Sequence, residues 1–349
     1  MKNKHIKGDD KKTFAFIDLF AGIGGFRYAL EDFGGTCVFT SEWDGNSQNT
    51  YLKNFGEFPH GDITKIKEKD IPEHDILCAG FPCQAFSISG KRMGFKDTRG
   101  TLFFDVARIA RHHKPDILFL ENVKNFARHE NGNTLKIILN TLDEIGYKPF
   151  FQILRSSDYG VPQARERIYI VAFKKDLGVE EFDFPEQINE IKIVNNILEK
   201  EVPKEYYINR PDIKIYGKDR KVVDPRKPLQ IGTINNGGQG ERIYSTQGAG
   251  ITLSAYGGGA ASKTGAYFVD GKVRKLTPRE CARMQGFPEK FILPESRNTA
   301  YKQFGDSVSV PVLKAIFAKI SEKYPELKNK RDLASLNKKV IQPIQFNLI

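Results

Sequence analysis

The run Phe14-Ala-Phe-Ile-Asp-Leu19, followed at once by Phe20-Ala-Gly-Ile-Gly-Gly25 and Phe26-Arg-Tyr-Ala-Leu-Glu31, restricts the fold more than any other stretch. A compact apolar strand, a glycine turn and the start of a helix, in that order, open a doubly wound α/β domain that binds a nucleotide-like ligand. A second strand, Val38-Phe-Thr-Ser41, ends in Glu42-Trp43. Glu42 lies about twenty residues after Gly22, where an acidic side chain at the tip of the second strand holds ribose hydroxyls. The turn is not GxGxxG, and it has neither the Lys nor the Ser/Thr of a phosphate loop. A nucleoside without phosphates fits better, with ribose on Glu42 and adenine stacked on an aromatic ring. S-adenosylmethionine is such a ligand.

Further along, Asp62-Ile63 is expected to end a third, weaker strand. Ile117-Leu-Phe-Leu120 reads as another strand, ending in Glu121-Asn-Val123. A helix is expected over roughly 134–145, and Phe150–Leu154 and Ile168–Phe173 read as the last strands. Strands alternating with helices imply a mostly parallel sheet covered on both faces. The texture changes after Pro185. Residues 191–280 hold 16 Lys/Arg against 9 Asp/Glu and 12 of the 31 glycines, and helical periodicity disappears. This stretch is expected to form a separate, irregular β-rich domain that carries most of the positive charge. Helical order returns at Thr277, which can cap a helix with Pro278 first and Glu280 third. Pro311 begins another helix, with Leu313, Ile316, Phe317, Ile320 and Tyr324 on one face. Residues 327–349 read as a loosely held basic tail.

Composition matters for partner and compartment. The formal net charge is +11, and an excess of that sign points to a polyanion, nucleic acid above all. The four cysteines, Cys37, Cys78, Cys83 and Cys281, form neither a disulfide framework nor a zinc-ligand spacing, so reduced thiols and a cytoplasmic location are expected, with no metal. The first residues lack the apolar core of a signal peptide, and no apolar run is long enough to span a bilayer.

The chemistry concentrates at Ala79-Gly-Phe-Pro-Cys-Gln-Ala-Phe-Ser-Ile-Ser-Gly90. It follows the apolar run Asp75-Ile-Leu-Cys-Ala79, so Cys83 sits on a loop at a strand's carboxyl end, where open α/β sheets place their ligands. A lone cysteine is more often an inert buried hydrophobe than a nucleophile. The surrounding Phe81-Pro-Cys-Gln84, together with Asp18-Leu-Phe-Ala-Gly-Ile-Gly-Gly25, Glu121-Asn-Val123, Gln163-Ala-Arg-Glu-Arg167 and Tyr301-Lys-Gln-Phe-Gly-Asp-Ser-Val308, reverses that preference. In this content and order the chain resembles the DNA (cytosine-5)-methyltransferase family from about Phe14 to about Ile320.

The resemblance implies a class I S-adenosylmethionine-dependent methyltransferase sheet with an inserted target-recognition domain. The implied division is a catalytic and cofactor-binding part over 1–190, target recognition over 191–276, a return segment over 277–326 that completes the large domain, and the tail. It implies Cys83 as nucleophile toward carbon 6 of cytosine, which makes carbon 5 enamine-like and able to accept a methyl group. Glu121 would neutralise ring nitrogen 3, Arg165 would hold the base and cofactor side in order, and Arg167 would support Glu121 or the loop. Cofactor contacts fall on Phe20, Gly22, Ile23, Gly25, Glu42, Trp43, Asp62, Ile63, Gly80, Pro82, Leu102, Asp306 and Val308. The family more often has Asn where Asp306 stands, which adds a charge and removes a donor.

Double-stranded DNA is the implied partner, with Ser87, Ser89, Gln239, Arg242, Thr252 and Tyr256 as DNA contacts. An amide such as Gln239 can bond an orphaned guanine after base flipping, and an arginine such as Arg242 reads guanine bidentately. The stretch Gly237–Ser245 with Ile251–Gly259 resembles the recognition region of a family member that methylates the first cytosine of GCGC. A monomer is expected, serving a restriction system with a cognate endonuclease for the same site. Three other readings compete: a dinucleotide-dependent oxidoreductase, disfavoured by the missing GxGxxG; a catalytically silent DNA-binding protein, disfavoured by the full set of reactive residues; and a tRNA substrate within the same family, disfavoured by the long basic domain.

Overall fold

A computed structural model describes residues 12–82, 102–218 and 220–332. The large sheet is built from β1 (Ala15–Leu19), β2 (Thr36–Ser41), β3 (Ile76–Gly80), β4 (Ile117–Val123), β5 (Tyr147–Arg155) and β6 (Glu166–Lys174). Their order across the sheet is β2-β1-β3-β4-β6-β5. β1 pairs in parallel with β2 on one side and β3 on the other, and β3 pairs in parallel with β4. The inner strands are apolar on both faces, as expected for strands covered by helices above and below.

Alternate residues of β1 feed two separate cores. Phe14 and Phe16 face a layer with α1 (Gly25–Glu31) and α7 (Val310–Lys323), where Leu313, Ile316, Phe317 and Ile320 are buried. Ala15, Ile17 and Leu19 face a layer with α3 (Leu102–His113) and α4 (Asn133–Glu144), through Phe103, Val106, Ile109, Ile138 and Leu142. The remaining large-domain helices are α2 (Gly45–Phe55), α5 (Pro278–Gln285) and α6 (Arg297–Asp306). The α5 cap is as expected: Thr277 accepts from the Glu280 amide, while Glu280 accepts from the Thr277 amide.

Three expectations need correction. Asp62-Ile63 does not end a strand. His60 makes an isolated bridge to Ser41, and Ile63–Lys65 is a single 3₁₀ turn capped by the Asp62 carboxylate on the Thr64 amide. The last two strands are each nine residues long, and β6 runs antiparallel to both neighbours. Only a 3₁₀ turn at Ser156–Asp158 lies between β5 and β6, too little chain for the crossover that parallel pairing requires. Residues 327–332 are not loosely held. Leu327 is fully buried, Arg331 forms an ion pair with Asp75 at 2.9 Å, and Arg331–Asp332 pairs with Lys12–Thr13. Residues 333–349 lie outside the described residues.

A second sheet lies between β6 and α5 in the chain. It comprises β7 (Lys214–Ile215), β8 (Gln230–Thr233), β9 (Arg242–Ser245), β10 (Ala266–Val269) and β11 (Lys272–Arg274), in the order β11-β10-β9-β8-β7. It has a small core of its own around Ile231, Ile234, Ile243 and Val273, whereas Val194 and Ile197 pack in the large domain. Gly240 shows how closely its loops meet: at φ +77°, an added Cβ would lie 2.2 Å from the Gly258 carbonyl oxygen. Only glycine permits this contact of backbone on backbone. None of the described helices is long and apolar enough to cross a membrane.

Candidate active site

The chain leaves β1 toward β2 and later returns to the other side of β1 as β3. A crevice forms outside the carboxyl ends where the winding reverses. Here it is a cavity of about 710 Å³. The β1 turn contributes Phe20, Gly22 and Ile23; the β2 end contributes Glu42 and Trp43; the 3₁₀ turn contributes Asp62 and Ile63. Gly80 and Pro82 enter from β3, Leu102 from the start of α3, and Asp306 and Val308 from the end of α6. Thus the cofactor residues expected from sequence converge, with one exception. Gly25 sits behind the wall and serves packing, because a Cβ there would meet Val308 Cγ2 at 2.4 Å.

Glu42 is 7% exposed, and both its oxygens are engaged. Oε2 accepts from the Gly22 amide and Oε1 from the Asp44 amide, each at 2.8 Å. Burial raises its pKa, and these amides oppose the shift. Glu42 therefore shapes the glycine turn as well as facing the cavity, and each oxygen keeps a second lone pair for a hydroxyl donor. Trp43 stands at the rim, 79% exposed. The polar neighbours Asp44, Ser47 and Lys302 also line the cavity. Sequence reasoning missed all three; Asp44 and Ser47 directly follow the Glu42-Trp43 tip, which was the available signal. With Glu42, Asp44, Asp62 and Asp306 on its wall, and Lys302 paired to Asp306 at 3.1 Å, the cavity suits a cationic, hydroxyl-rich ligand rather than a phosphate.

The second cluster occupies the other end. Glu121, at the end of β4, is 8% exposed, and its Oε1 lies 3.1 Å from Arg167 Nε. Burial pushes its pKa up, while Arg167 and Arg165 pull it back. A Cβ built on Gly80 would lie 3.8 Å from Glu121 Oε2, so the chain heads toward residue 83 directly beside this carboxyl. Asn122 secures that approach by donating to the Phe81 carbonyl at 2.9 Å while accepting from the Val123 amide.

Arg165 is 2% exposed and donates to the carbonyls of Leu253, Gly305 and Ser307 at 3.3, 3.1 and 2.6 Å. Arg165 is thus a buried clamp on backbone, whereas half-buried Arg167 pairs with Glu121. Gln163, which sequence reasoning passed over, also holds the Leu253 segment and ties it to α5: it accepts from the Leu253 amide at 3.0 Å and donates to the Met284 carbonyl at 3.1 Å.

Of the expected DNA contacts, Tyr256 reaches the cavity and is 73% exposed. Gln239, in the turn before β9, and Arg242, at the start of β9, are exposed, with Arg242 Nε donating to the Gly237 carbonyl at 3.2 Å. Thr252 is half-buried and its hydroxyl donates to the Ala164 carbonyl at 3.0 Å, next to Arg165. Cys83, Ser87 and Ser89 lie outside the described residues. The three described cysteines, Cys37, Cys78 and Cys281, are all buried, and burial raises each thiol pKa, the reverse of what a nucleophile needs.

Comparison with known proteins agrees with this arrangement. A family described as C-5 cytosine-specific DNA methylase matches residues 14–322. The Type II methyltransferase M.HhaI of Haemophilus parahaemolyticus is 52% identical over 90% of this chain and 95% of its own. M.HpaII of Haemophilus parainfluenzae is 47% identical, covering 91% and 92%. Among solved structures, a Spodoptera frugiperda DNMT2 mutant superposes with a TM-score of 0.67 at 22% identity, covering 88% of this chain and 99% of that one, which speaks for the fold.

Beneath the glycine turn, Asp18 is fully buried in β1, and among the described residues its carboxyl is met only weakly, by the Arg27 backbone amide. Burial pushes its pKa well above the usual value, Arg27 pulls it down and Glu42 pushes it further up. A carboxyl whose folded pKa is raised stabilises the fold most below its unfolded pKa, about 3.9. That contribution is lost as pH rises toward the folded value. Asp18→Asn removes the titration, so its stability relative to the parent protein should increase from pH 5 to pH 8. Denaturant unfolding at both pH values checks this; a pH-independent difference would contradict it.

Proposed function

The chain belongs to the C-5 cytosine-specific DNA methylase family, and on that premise we propose that it methylates carbon 5 of a flipped cytosine in duplex DNA, the first cytosine of GCGC, with Cys83 as nucleophile. The observation that carries the reading is the buried Glu121–Arg167 pair at 3.1 Å beside the strand end that leads into Cys83. Burial shifts the Glu121 pKa upward, the direction that a proton-donating carboxyl needs. The cysteine it would assist is not any of the three buried, high-pKa thiols.

S-adenosylmethionine supplies an electrophilic methyl group on a sulfonium, and the cavity fits it. Glu42 would hold the ribose hydroxyls, Trp43 and Ile63 would flank the adenine, and the acidic wall favours the positive charge. Leu102, Pro82, Gly80 and Val308 would exclude water around the transferring methyl. Asp306 would meet the amino-acid end.

In the proposed reaction the Cys83 thiolate forms a bond to carbon 6. The ring electrons move toward nitrogen 3, where Glu121 donates its proton, and carbon 5 becomes nucleophilic. Arg167 fixes the Glu121 carboxyl. After methyl transfer, which would leave S-adenosylhomocysteine, water takes the carbon 5 proton, nitrogen 3 returns its proton to Glu121, and expulsion of the Cys83 thiolate restores the aromatic ring. Arg165 keeps residues 253 and 305–307 at the cavity while this happens.

Residues 191–276 would supply target recognition. Gln239 would occupy the space left by the flipped base, Arg242 would read guanine, and Thr252 and Tyr256 would contact the strand together with Ser87 and Ser89. The 52% identity to M.HhaI supports GCGC as the site. The relatives' names as Type II methyltransferases support a role beside an endonuclease for the same sequence. A monomer suffices for these roles.

Duplex DNA with 5-fluorocytosine at the target cannot release a proton from carbon 5. With cofactor present it should form a denaturation-resistant adduct with the parent protein, and none with Cys83→Ala, which should still shift the same duplex in a gel. A surviving adduct in the variant would remove Cys83 from the reaction. Arg242→Ala should relax site preference by the roughly 1–3 kcal/mol of a bidentate guanine contact, with a smaller loss of total affinity. Methylation competition between GCGC and single-mismatch sites reads this, and an unchanged preference would refute guanine reading by Arg242.

A further inference from the structure

The residues leading into β6 have a spacing of two. Arg165, Arg167 and Tyr169 therefore project to one face. In the β4–β6 ladder Tyr169 stands directly opposite Glu121, and Arg167 opposite Val123. Tyr169 is fully buried and lies behind the cavity wall rather than on it. It nevertheless interacts electrostatically with Glu121, Arg165 and Arg167.

Among the described residues, buried Tyr169 Oη and Arg165 Nε have no hydrogen-bond partner, and buried Glu121 Oε1 has the ion pair to Arg167 Nε at 3.1 Å but no aligned hydrogen bond. Buried polar atoms are normally satisfied, and orphans call for an explanation. The three are complementary. Arg165 Nε is a donor, Glu121 Oε1 is an acceptor, and a tyrosine hydroxyl does both at once. The three Arg165 bonds to carbonyls use Nη1 and Nη2 and leave Nε, while the Arg167 ion pair at Glu121 Oε1 leaves a second lone pair on that oxygen.

We propose that Tyr169 is a positioning residue for methyl transfer, whose hydroxyl accepts from Arg165 Nε and donates to Glu121 Oε1 through one bridging water, and so sets the protonation of Glu121. The inference rests on Glu121 being the acid of the proposed reaction. Burial pushes Glu121 toward the neutral form, whereas Arg167, Arg165 and a hydroxyl donor favour the carboxylate. Around the cluster, Tyr159 faces Tyr169, and Asp306 acts on Arg165. Because Arg165 also holds the carbonyls of Leu253, Gly305 and Ser307, the chain Arg165–Tyr169–Glu121 would carry the closure of those segments to the acid.

The test is the pH profile of single-turnover methylation for the parent protein, Tyr169→Phe, and a protein with 3-fluorotyrosine at 169 alone. Phenylalanine removes the donor, so Glu121 should hold its proton longer and the alkaline limb should move up by about one pH unit. Fluorination strengthens the donor, and the limb should move down. Cofactor affinity should stay within about twofold in both, since Tyr169 does not line the cavity. Alkaline limbs that coincide with the parent's, or that move in the same direction in both proteins, would overturn the proposal. Should the phenylalanine variant fail to fold, the fluorotyrosine shift alone decides. A parent protein that methylates no cytosine would instead overturn the functional reading, and the Tyr169 role with it.

Discussion

A buried guanidinium holds this site together. Arg165 sits at the entrance to β6 and reaches three carbonyls on two distant segments, Leu253 on one and Gly305 and Ser307 on the other. Burial disfavours its charge, and so does the neighbouring Arg167; the three carbonyls and Glu121 offset that cost. None of the carbonyl segments has a regular strand partner at this point. Removing the guanidinium would strip the Leu253 and Gly305 carbonyls of this donor, each at about 1–3 kcal/mol if left unsatisfied, while the Ser307 carbonyl would keep a long bond from Gln285 at 3.4 Å. Arg165 and Gln163 together fix where the glycine-rich stretch and the end of α6 meet the sheet.

This arrangement explains how two chemistries share one crevice. The β1 and β2 ends build an acidic compartment in which Glu42 also ties down the glycine turn. The β3, β4 and β6 ends build a second compartment in which buried Glu121 is held by Arg167. The winding reversal at β1 makes the two adjacent. Asp306 belongs to the first and is paired with Lys302, so the extra charge at this position has a partner. Without that lysine an acid in place of an amide would add an unbalanced charge to the rim.

Legibility in the sequence followed distance along the chain. The strand, glycine turn and Glu42 were readable because their geometry is local, and the Thr277 cap was readable for the same reason. The Asp62 region was misread as strand because an apolar residue after a polar run does not distinguish a strand end from an Asp-capped 3₁₀ turn. The reversal of β6 follows from the short connection before it, which is too brief for the crossover that parallel pairing requires. Leu327 and Arg331 looked like tail because their partners, the large core and Asp75, lie far away in sequence. The Gln-x-Arg-x-Arg stretch could be matched as a motif. Its clamp onto Leu253 and Gly305, 88 and 140 residues further on, could not be read.

The most direct measurement is bisulfite sequencing of plasmid DNA from cells expressing this chain, beside cells expressing Cys83→Ser. Methylation confined to the first cytosine of GCGC, and absent with the serine variant, is the result expected. Methylation in another context would keep the reaction and displace the recognition site. No methylation with either protein would contradict the central claim that these residues act on cytosine in DNA.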